Sequence, residues 1–336
     1  MRILYAIQGT GNGHASRAIE IIPFLQRKAT VDVLISGYQC ELEFPFDIKY
    51  KLYGLSFIFG KKGGIDIWKT LQKIKLKKLY DEIQSIPVQN YDFIINDFEP
   101  ITAWAARLKN VPLISLSHQN AVLDDKAPKY RSFKFERLIL KYYAPARVKF
   151  GFHFKPYSSS TFSPIIRKDI RYRNITNKGH YTVYLPAYSD KKIIKVLSEF
   201  KNVKWEVFSK HTDTYKYKNN IVIKPINGSE FIKSIASSTG VLCGAGFETP
   251  AEALYLRKKL LVIPMKNQYE QQCNALSLQE IGVTVLKKFN KGQYSKITKW
   301  LKSTKIIEVS YPDITEEILD EITLPFYHQS ILPTIV

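Results

Sequence analysis

The first half of the chain alternates short apolar runs with stretches in which apolar residues recur every three or four positions. The short runs predict buried strands, and the three- to four-residue spacing predicts helices that bury one face. Strands that alternate with helices imply βαβ units and a parallel sheet with right-handed crossovers. The predicted strands are Arg2–Ile7, Val31–Ser36, Phe93–Asn96 and Leu113–Leu116, and the predicted helices are Ala15–Lys28, Ile65–Ile86 and Pro100–Leu108.

The second half repeats the alternation and predicts a second doubly wound α/β sheet, beginning near Thr182–Leu185. Residues 156–178 are rich in Ser, Pro, Asn and Arg, which is typical of a linker. We therefore predict an N-terminal domain over residues 1–170 and a C-terminal domain over 171–312. We expect the remaining tail, 313–336, to pack back on the N-terminal domain.

The composition is strongly basic, with 50 Lys and Arg against 30 Asp and Glu and a net charge of +20. A positive electrostatic field of this size attracts nucleic acid, anionic lipid or a diphosphate substrate. A lysine-rich surface that keeps the protein soluble also accounts for much of the charge. Nucleic acid is the least favoured, because no helix-turn-helix, zinc-finger or RNP signature is present. Cys40, Cys243 and Cys273 suit neither a disulfide framework nor structural zinc, and no apolar run is long enough for a bilayer, so we expect a cytoplasmic protein.

A glycine-rich turn, Gly9-Thr-Gly-Asn-Gly-His-Ala-Ser-Arg17, joins the first predicted strand to the first helix. Glycines at this point allow a tight turn and a close approach of the backbone to a ligand. The spacing departs from the GxGxxG dinucleotide fingerprint, which makes NAD a minor option. The helix start favours a neutral His14 imidazole that can accept a proton, and the alternative is a histidine that only caps the turn.

Asp97 directly follows the predicted strand Phe93–Asn96, and Pro100 opens the next helix. Because the carboxyl ends of parallel strands meet at one edge of a sheet, His14 and Asp97 should face one crevice. A carboxylate on one imidazole nitrogen fixes the tautomer and stabilises the imidazolium. The pair predicts a general base for an acceptor hydroxyl, with Glu99 as the competing partner.

A second glycine turn, Gly244-Ala-Gly246, precedes a helix predicted to begin near Thr249. The free N–H groups of residues 246–249 and the helix dipole form an anion site suited to a diphosphate. Glu252 lies on the same helix face as Thr249, where it can accept hydrogen bonds from ribose hydroxyls. The alternative is a capping box in which Thr249 and Glu252 bond each other's backbone.

The loop after the next predicted strand contains Pro264-Met-Lys-Asn-Gln-Tyr-Glu-Gln-Gln-Cys-Asn274. Its carboxylate and amide groups lie at the same sheet edge as the second glycine turn, where they can hydrogen-bond the hydroxyls of a sugar. Polar residues at a helix start are usually only caps, and that alternative stays open.

These residues carry a family resemblance. The series Gly246…Glu252…Pro264…Glu270-Gln271…Asn274-Ala resembles the donor signature of UDP-glycosyltransferases and of the peptidoglycan N-acetylglucosaminyl transferase. The stretch from His118 to Val122 is similar to a motif of the peptidoglycan enzyme. The GxGHxxR opening and the Asp-Phe-Glu-Pro stretch most resemble a group of predicted prokaryotic glycosyltransferases. The likeness covers residues 1–285 and implies the GT-B fold, two Rossmann-like domains that face a cleft.

The resemblance implies a role for each matching residue. His14 is implied as the base and Asp97 as its partner, and the backbone around Ile226 is implied at the edge of the uracil. Gly244 replaces a histidine of the plant-type signature and Glu270 replaces an aspartate, so the donor sugar is left open. The implied donor-site residues are Gly244, Gly246, Phe247, Glu248, Thr249, Glu252, Glu270, Gln271 and Ile226, and the acceptor-side residues are Gly13, Arg17, Glu99, His118, Gln119 and Asn120.

We therefore expect an inverting glycosyltransferase with a nucleotide-sugar, a UDP-sugar in the first instance, as co-substrate and with no cofactor. None of the 13 aspartates forms a DxD pair, so we expect no metal. Segment Lys126–Tyr157, with nine Lys or Arg and one acidic residue, favours an anionic membrane surface and a lipid-linked acceptor. Core aromatics beside solvated lysines are the alternative there. The open rival functions are a UDP-sugar hydrolase, an epimerase and a non-catalytic nucleotide-sugar or polyanion binder.

Overall fold

The structure is a computed structural model that describes residues 1–37, 44–55, 75–131 and 134–329. Cys40 lies outside the described residues, as do residues 65–74 of the predicted helix Ile65–Ile86 and residues 330–336 of the tail. The later part of that helix is present, over Leu76–Ser85.

Seven strands of the described chain form a first sheet in which every neighbouring pair is parallel. They are β1 (Arg2–Gln8), β2 (Thr30–Ser36), β3 (Ile48–Leu52), β4 (Phe93–Asp97), β5 (Leu113–Leu116), β6 (Val148–Phe152) and β7 (Thr161–Phe162). Their order, β3-β2-β1-β4-β5-β6-β7, reverses direction between β1 and β4. Both of these central strands are buried at every position except Arg2, as expected for a parallel strand with helices on both faces.

Six α-helices lie between β1 and the second sheet within the described residues. They are α1 (Asn12–Gln26), α2 (Leu76–Ser85), α3 (Pro100–Lys109), α4 (His118–Leu123), α5 (Lys134–Tyr143) and α6 (Lys168–Arg171). We call the first sheet with α1–α5 the first lobe. It contains the predicted helices Ala15–Lys28 and Pro100–Leu108 with boundaries shifted by a few residues.

The second lobe is built on another seven-stranded sheet of the described chain. Its strands are β8 (His180–Tyr184), β9 (Lys204–Ser209), β10 (Lys216–Lys218), β11 (Ile221–Pro225), β12 (Gly240–Gly244), β13 (Lys259–Ile263) and β14 (Thr284–Val285). Their order is β10-β11-β9-β8-β12-β13-β14, and only the edge pair β10–β11 is antiparallel. The helices are α7 (Asp190–Leu197), α8 (Gly228–Ser237), α9 (Glu248–Tyr255), α10 (Tyr269–Glu280) and α11 (Tyr294–Lys302).

The two sheets confirm the predicted α/β fold of two doubly wound parallel-sheet units. In each unit the strand order reverses beside the first strand, between β1 and β4 and between β8 and β12. Ligands of such folds bind at the carboxyl ends of the strands at this reversal. The two glycine turns of the sequence follow β1 and β12, so both lie at these points.

The connection between the lobes runs from the end of β7 to His180, and the boundary predicted near residue 170 falls within it. A last helix, α12 (Thr315–Gln329), packs against α1 of the first lobe. Its Ile318 and Ile322 belong to the same apolar cluster as residues of α1, and Glu316 pairs with Arg27 at 3.2 Å. None of the helices described in the chain combines the length and the apolar character that crossing a membrane requires.

Candidate active site

The first glycine turn positions the start of α1. Gly9 donates its N–H to the carbonyl of Ser36 at 2.6 Å, and a Cβ atom at Gly9 would lie 2.9 Å from that carbonyl and from the carbonyl of Gly37. Gly11 precedes α1 with φ +97°, a conformation that side chains other than glycine rarely adopt. The glycines therefore hold the backbone against β2 and turn it at once into a helix whose first turns carry His14 and Arg17.

The structure brings His14 and Asp97 together. His14 Nδ1 lies 2.8 Å from Asp97 Oδ1, and the carboxylate is fully buried. Phe98, which follows Asp97, has a left-handed backbone with φ 58°, a conformation that costs about 1–3 kcal/mol and is often found at functional sites. Its ring stacks near the His14 ring at 6.3 Å between centroids, so the imidazole is held by a carboxylate and by an aromatic face.

Arg17 binds both oxygens of the same carboxylate and lies beside His14, with its Nη2 atom 3.2 Å from His14 Nδ1. Its Nε and Nη2 atoms donate to Asp97 at 2.9–3.0 Å, and only 3% of the Arg17 side chain is exposed. Burial by itself raises the pKa of Asp97, but the charge of Arg17 and the contact with His14 outweigh it and leave the pKa below its usual value. Asp97 is therefore an anion that orients His14 while Arg17 neutralises much of its charge.

The second glycine turn leads into α9, which begins one residue earlier than predicted. Glu248 is the first helical residue, Phe247 is the N-cap, and no side chain caps the helix. Thr249 is therefore inside the helix, and the capping box of Thr249 and Glu252 is not formed. The position of a Cβ atom at Gly246 has no neighbour within 4 Å. The helix start thus presents uncapped N–H groups beside open space.

The two lobes meet at Glu248. Arg17 Nη1 donates to Glu248 Oε1 at 2.7 Å, and a Cβ atom at Gly13 would lie 3.2 Å from Glu248 Cγ. Burial, only partly offset by Arg17, raises the pKa of Glu248 to about 7. Sequence reasoning placed Arg17 and Gly13 on the acceptor side and Glu248 on the donor side; the structure brings the three into contact.

Glu252 and Gln271 have protein partners outside the cavity. Arg167, in the connection between the lobes, donates to Glu252 Oε1 at 2.6 Å. The amide of Gln271 bonds Met265, accepting from its backbone N–H at 3.0 Å and contacting its sulfur. Neither residue is among the described residues that line the cavity. Arg167 was missed, because a lone arginine in a linker gives no local signal.

Glu270, in contrast, lies at the cavity and is bonded to the other lobe. Gln119 Nε2 donates to Glu270 Oε2 at 3.0 Å. The neighbouring His118 is buried, stacks on Phe247 at 3.9 Å between centroids, and has its Nε2 atom 2.9 Å from Asn274 Oδ1. Burial lowers the pKa of His118. These contacts tie the start of α4 to the second lobe.

A cavity of about 220 Å³ lies between the lobes at these residues. Its walls come from α1, α4 and α5 in the first lobe and from the starts of α9 and α10 in the second. The sequence did not predict α5 as a wall of the site. The lining residues described are Thr10, Gly13, His14, Arg17, Phe98, His118, Gln119, Glu136, Ile139, Leu140, Phe247, Glu248, Gln268, Tyr269 and Glu270.

The model of glycosyl transferase family 1 matches residues 1–304 of the chain. The chain belongs to this family. Its fold is that of GT-B glycosyltransferases, and no functionally curated protein sequence matches the chain.

Three solved structures show the fold of the glycosyltransferase over nearly its whole length. MnaA from S. aureus, in a co-structure with UDP, has a TM-score of 0.64 and 13% identity, and the match covers 98% of this chain and 97% of that chain. MurG from Acinetobacter baumannii has a TM-score of 0.61 and 15% identity, with 96% of this chain and 99% of that chain covered. UGT89C1 from Arabidopsis thaliana, complexed with UDP, has a TM-score of 0.58 and 14% identity, with 96% of this chain and 94% of that chain covered.

Two residues predicted on the acceptor side of the glycosyltransferase have hydrogen-bond partners within the first lobe. Glu99 caps α3, accepting the N–H groups of Ile101 and Thr102 at 2.7 Å, and is fully buried. Asn120 donates to the carbonyls of Ser115 and Phe150 and does not line the cavity. Glu99 therefore does not compete with Asp97 for His14. An acidic residue directly before a helix-starting proline was a signal for this cap.

Ile226 lies in the turn between β11 and α8 and is 37% exposed. The next residue, Asn227, caps α8 by accepting from the N–H of Glu230 at 3.0 Å. The turn thus lies at the carboxyl end of β11. In the described part of the glycosyltransferase, no group of three His, Cys, Asp or Glu side chains has the arrangement of a metal site.

Proposed function

We propose that the glycosyltransferase moves a sugar from a UDP-sugar to an acceptor hydroxyl by an inverting, metal-independent displacement. One observation carries this proposal: the imidazole of His14, held at 2.8 Å by the buried Asp97, lines the same cavity as the uncapped start of α9. A base and an anion site on opposite walls of one cavity are what glycosyl transfer from a nucleotide-sugar requires.

The reaction we propose is a single displacement at the anomeric carbon. His14 carries its proton on Nδ1, directed at Asp97, so that Nε2 accepts the proton of the acceptor hydroxyl. The acceptor oxygen forms its bond to the anomeric carbon as the bond to the phosphate oxygen breaks, and the nucleoside diphosphate leaves with that electron pair. Asp97 fixes the tautomer of His14 and stabilises the imidazolium. Arg17 limits that stabilisation, because it neutralises part of the Asp97 charge.

The departing diphosphate would be held at the start of α9. Negative charge develops on the phosphate oxygen in the transition state, where oriented N–H groups stabilise it most. The open space at Gly246 lets a phosphate approach the backbone closely. Glu270 at the cavity would bind hydroxyls of the sugar. For Glu252, which pairs with Arg167 and lies outside the cavity, contact with the ribose stays a prediction from the family resemblance.

The choice of uridine rests on similarity. MnaA and UGT89C1, whose fold this chain shares, were each solved with UDP. The exposed turn at Ile226 would then lie against the uracil. We take UDP-sugars as the first donors to test.

A panel of nucleotide-sugars, incubated with and without acceptor candidates, tests the proposal. We expect UDP release to accelerate when the right acceptor is present, the product to have the inverted anomeric configuration by NMR, and EDTA to have no effect. Fast UDP release that ignores every acceptor would indicate a hydrolase, and recovery of an isomerised donor would indicate an epimerase. Either result would overturn transfer.

We further propose that the acceptor is lipid-linked and reaches the cavity along α5. Glu136, Ile139 and Leu140 of this helix line the cavity, while other α5 residues face solvent. Leu138 is 49% exposed and Tyr142 52% exposed, among Arg137 and Lys141. Exposed apolar side chains beside cations suit an anionic membrane surface.

Co-sedimentation with vesicles rich in phosphatidylglycerol tests this surface. The double variant Arg137→Glu/Lys141→Glu should bind at least about tenfold more weakly, since each cation near the surface contributes about 1 kcal/mol. The matched variant Lys296→Glu/Lys299→Glu, with two exposed lysines of α11, should bind like the wild type. Wild-type binding that ignores both anionic lipid and salt would refute the membrane proposal.

A further inference from the structure

One ion pair between the lobes lies where the diphosphate is proposed to bind. Arg17 uses Nε and Nη2 for Asp97, and its remaining terminal nitrogen, Nη1, donates to Glu248 Oε1 at 2.7 Å. Glu248 is the first residue of α9, and 24% of its side chain is exposed. The deeply buried guanidinium therefore reaches across the cleft to a carboxylate at the start of the donor-binding helix.

The Glu248 carboxylate is placed between two helix starts. Gly13 is in the first turn of α1 and contacts Glu248, which opens α9. Neither helix has a side-chain cap, and both present the positive end of a helix dipole. Two uncapped helix starts and an arginine together form a site that binds anions strongly. In this structure the Glu248 carboxylate occupies that site.

We propose that Arg17 binds the diphosphate of the nucleotide-sugar, and that the Glu248 carboxylate is an internal competitor that leaves Arg17 when the donor binds. This inference rests on the proposed function, because it takes the diphosphate to bind at α9. In both states Arg17 keeps two anionic partners, so its buried charge is never left unpaired. The exchange breaks and forms hydrogen bonds only.

The exchange makes donor binding sensitive to pH. Burial, opposed by Arg17 and assisted by Glu252 and Asp97, raises the pKa of Glu248 to about 7. Below pH 7 the neutral carboxyl releases Arg17, and above it the carboxylate competes, so UDP affinity should fall as pH rises, by at most about tenfold per unit. The titratable or charged groups around Glu248 are Arg17, His14, Asp97, Glu252 and Arg167, with Glu136, His118 and Glu270 on the same cavity.

Calorimetric titration with UDP between pH 7 and 8.5 measures this competition, in a range where the second phosphate proton (pKa about 6) is already lost. Wild-type affinity should fall steadily across the range. Glu248→Gln, which keeps the size of the side chain but not its charge, should bind UDP up to about thirtyfold more tightly than wild type at pH 8.5, and its affinity should not change with pH. Arg17→Lys should weaken UDP binding with and without Glu248→Gln, because a lysine cannot serve Asp97 and a phosphate together.

Glu316→Gln is the matched control, since Glu316 also lies in the first turn of a helix and pairs with an arginine, Arg27, directly after α1. It should follow the wild-type profile. The inference would be overturned if UDP affinity of the Glu248→Gln protein fell with pH as it does in the wild type, or if this variant bound UDP more weakly. Either result would leave UDP-sugar transfer intact. If only GDP or dTDP binds, and with the expected slope, the uridine assignment fails and the inference stands. If no nucleoside diphosphate binds the wild type, both fail.

Discussion

The His14→Ala variant should lose about 10²- to 10⁴-fold in turnover while binding UDP as tightly as the wild type. The imidazole is the only group that we assign to the acceptor proton, and it makes no described hydrogen bond to the second lobe. Removing it leaves the Asp97–Arg17 contacts in place, so the buried charges stay paired and the fold should survive.

Single-turnover kinetics with the best donor and acceptor, together with calorimetric titration of UDP, separate the two quantities. His211→Ala, which removes an exposed histidine of the second lobe, is the control and should behave like the wild type. A His14→Ala enzyme that retains turnover would exclude this residue as the base. One that loses UDP affinity to the same degree as turnover would indicate that His14 binds the donor instead.

The buried centre of each sheet was predictable from sequence, whereas its edges were not. Strand Phe93–Asp97 is apolar enough to be recognised without a partner, and so is Lys259–Ile263. The edge strands Ile48–Leu52 and Lys216–Lys218 alternate lysine with other residues and are partly or wholly exposed. Their strand conformation depends on pairing with the neighbouring strand, which a local pattern does not show.

Some contacts of the candidate site were likewise predictable from the sequence, and others were not. His14 and Asp97 could be placed together because each follows a central strand of one sheet, and a topological rule relates the strand ends. The pair of Arg17 with Glu248 joins residues 231 positions apart in different lobes, and that of Arg167 with Glu252 joins a linker to a helix. These contacts depend on how the two lobes pack against each other. A single sequence carries no local signal for that packing.

The Asp97→Asn variant should lose both activity and stability. An asparagine would turn its carbonyl oxygen to Arg17 and its NH₂ group to His14, because a guanidinium can only donate. The imidazole would then accept at Nδ1 and carry its proton on Nε2, which is the wrong tautomer for a base. We expect turnover to fall about 10⁴-fold, and unfolding free energy to fall about 3–5 kcal/mol, since Arg17 loses a buried counter-charge.

The two losses can be separated by pH and by a double-mutant cycle. The pKa of Asp97 is lowered in the folded state, so its stabilisation is present at neutral pH and is lost as pH falls. The gap in unfolding free energy between wild type and Asp97→Asn should therefore narrow in acid.

In turnover, the double variant His14→Ala/Asp97→Asn should be no slower than His14→Ala, because Asp97 acts on catalysis through the imidazole. Additive losses would show instead that Asp97 contacts the reacting groups itself.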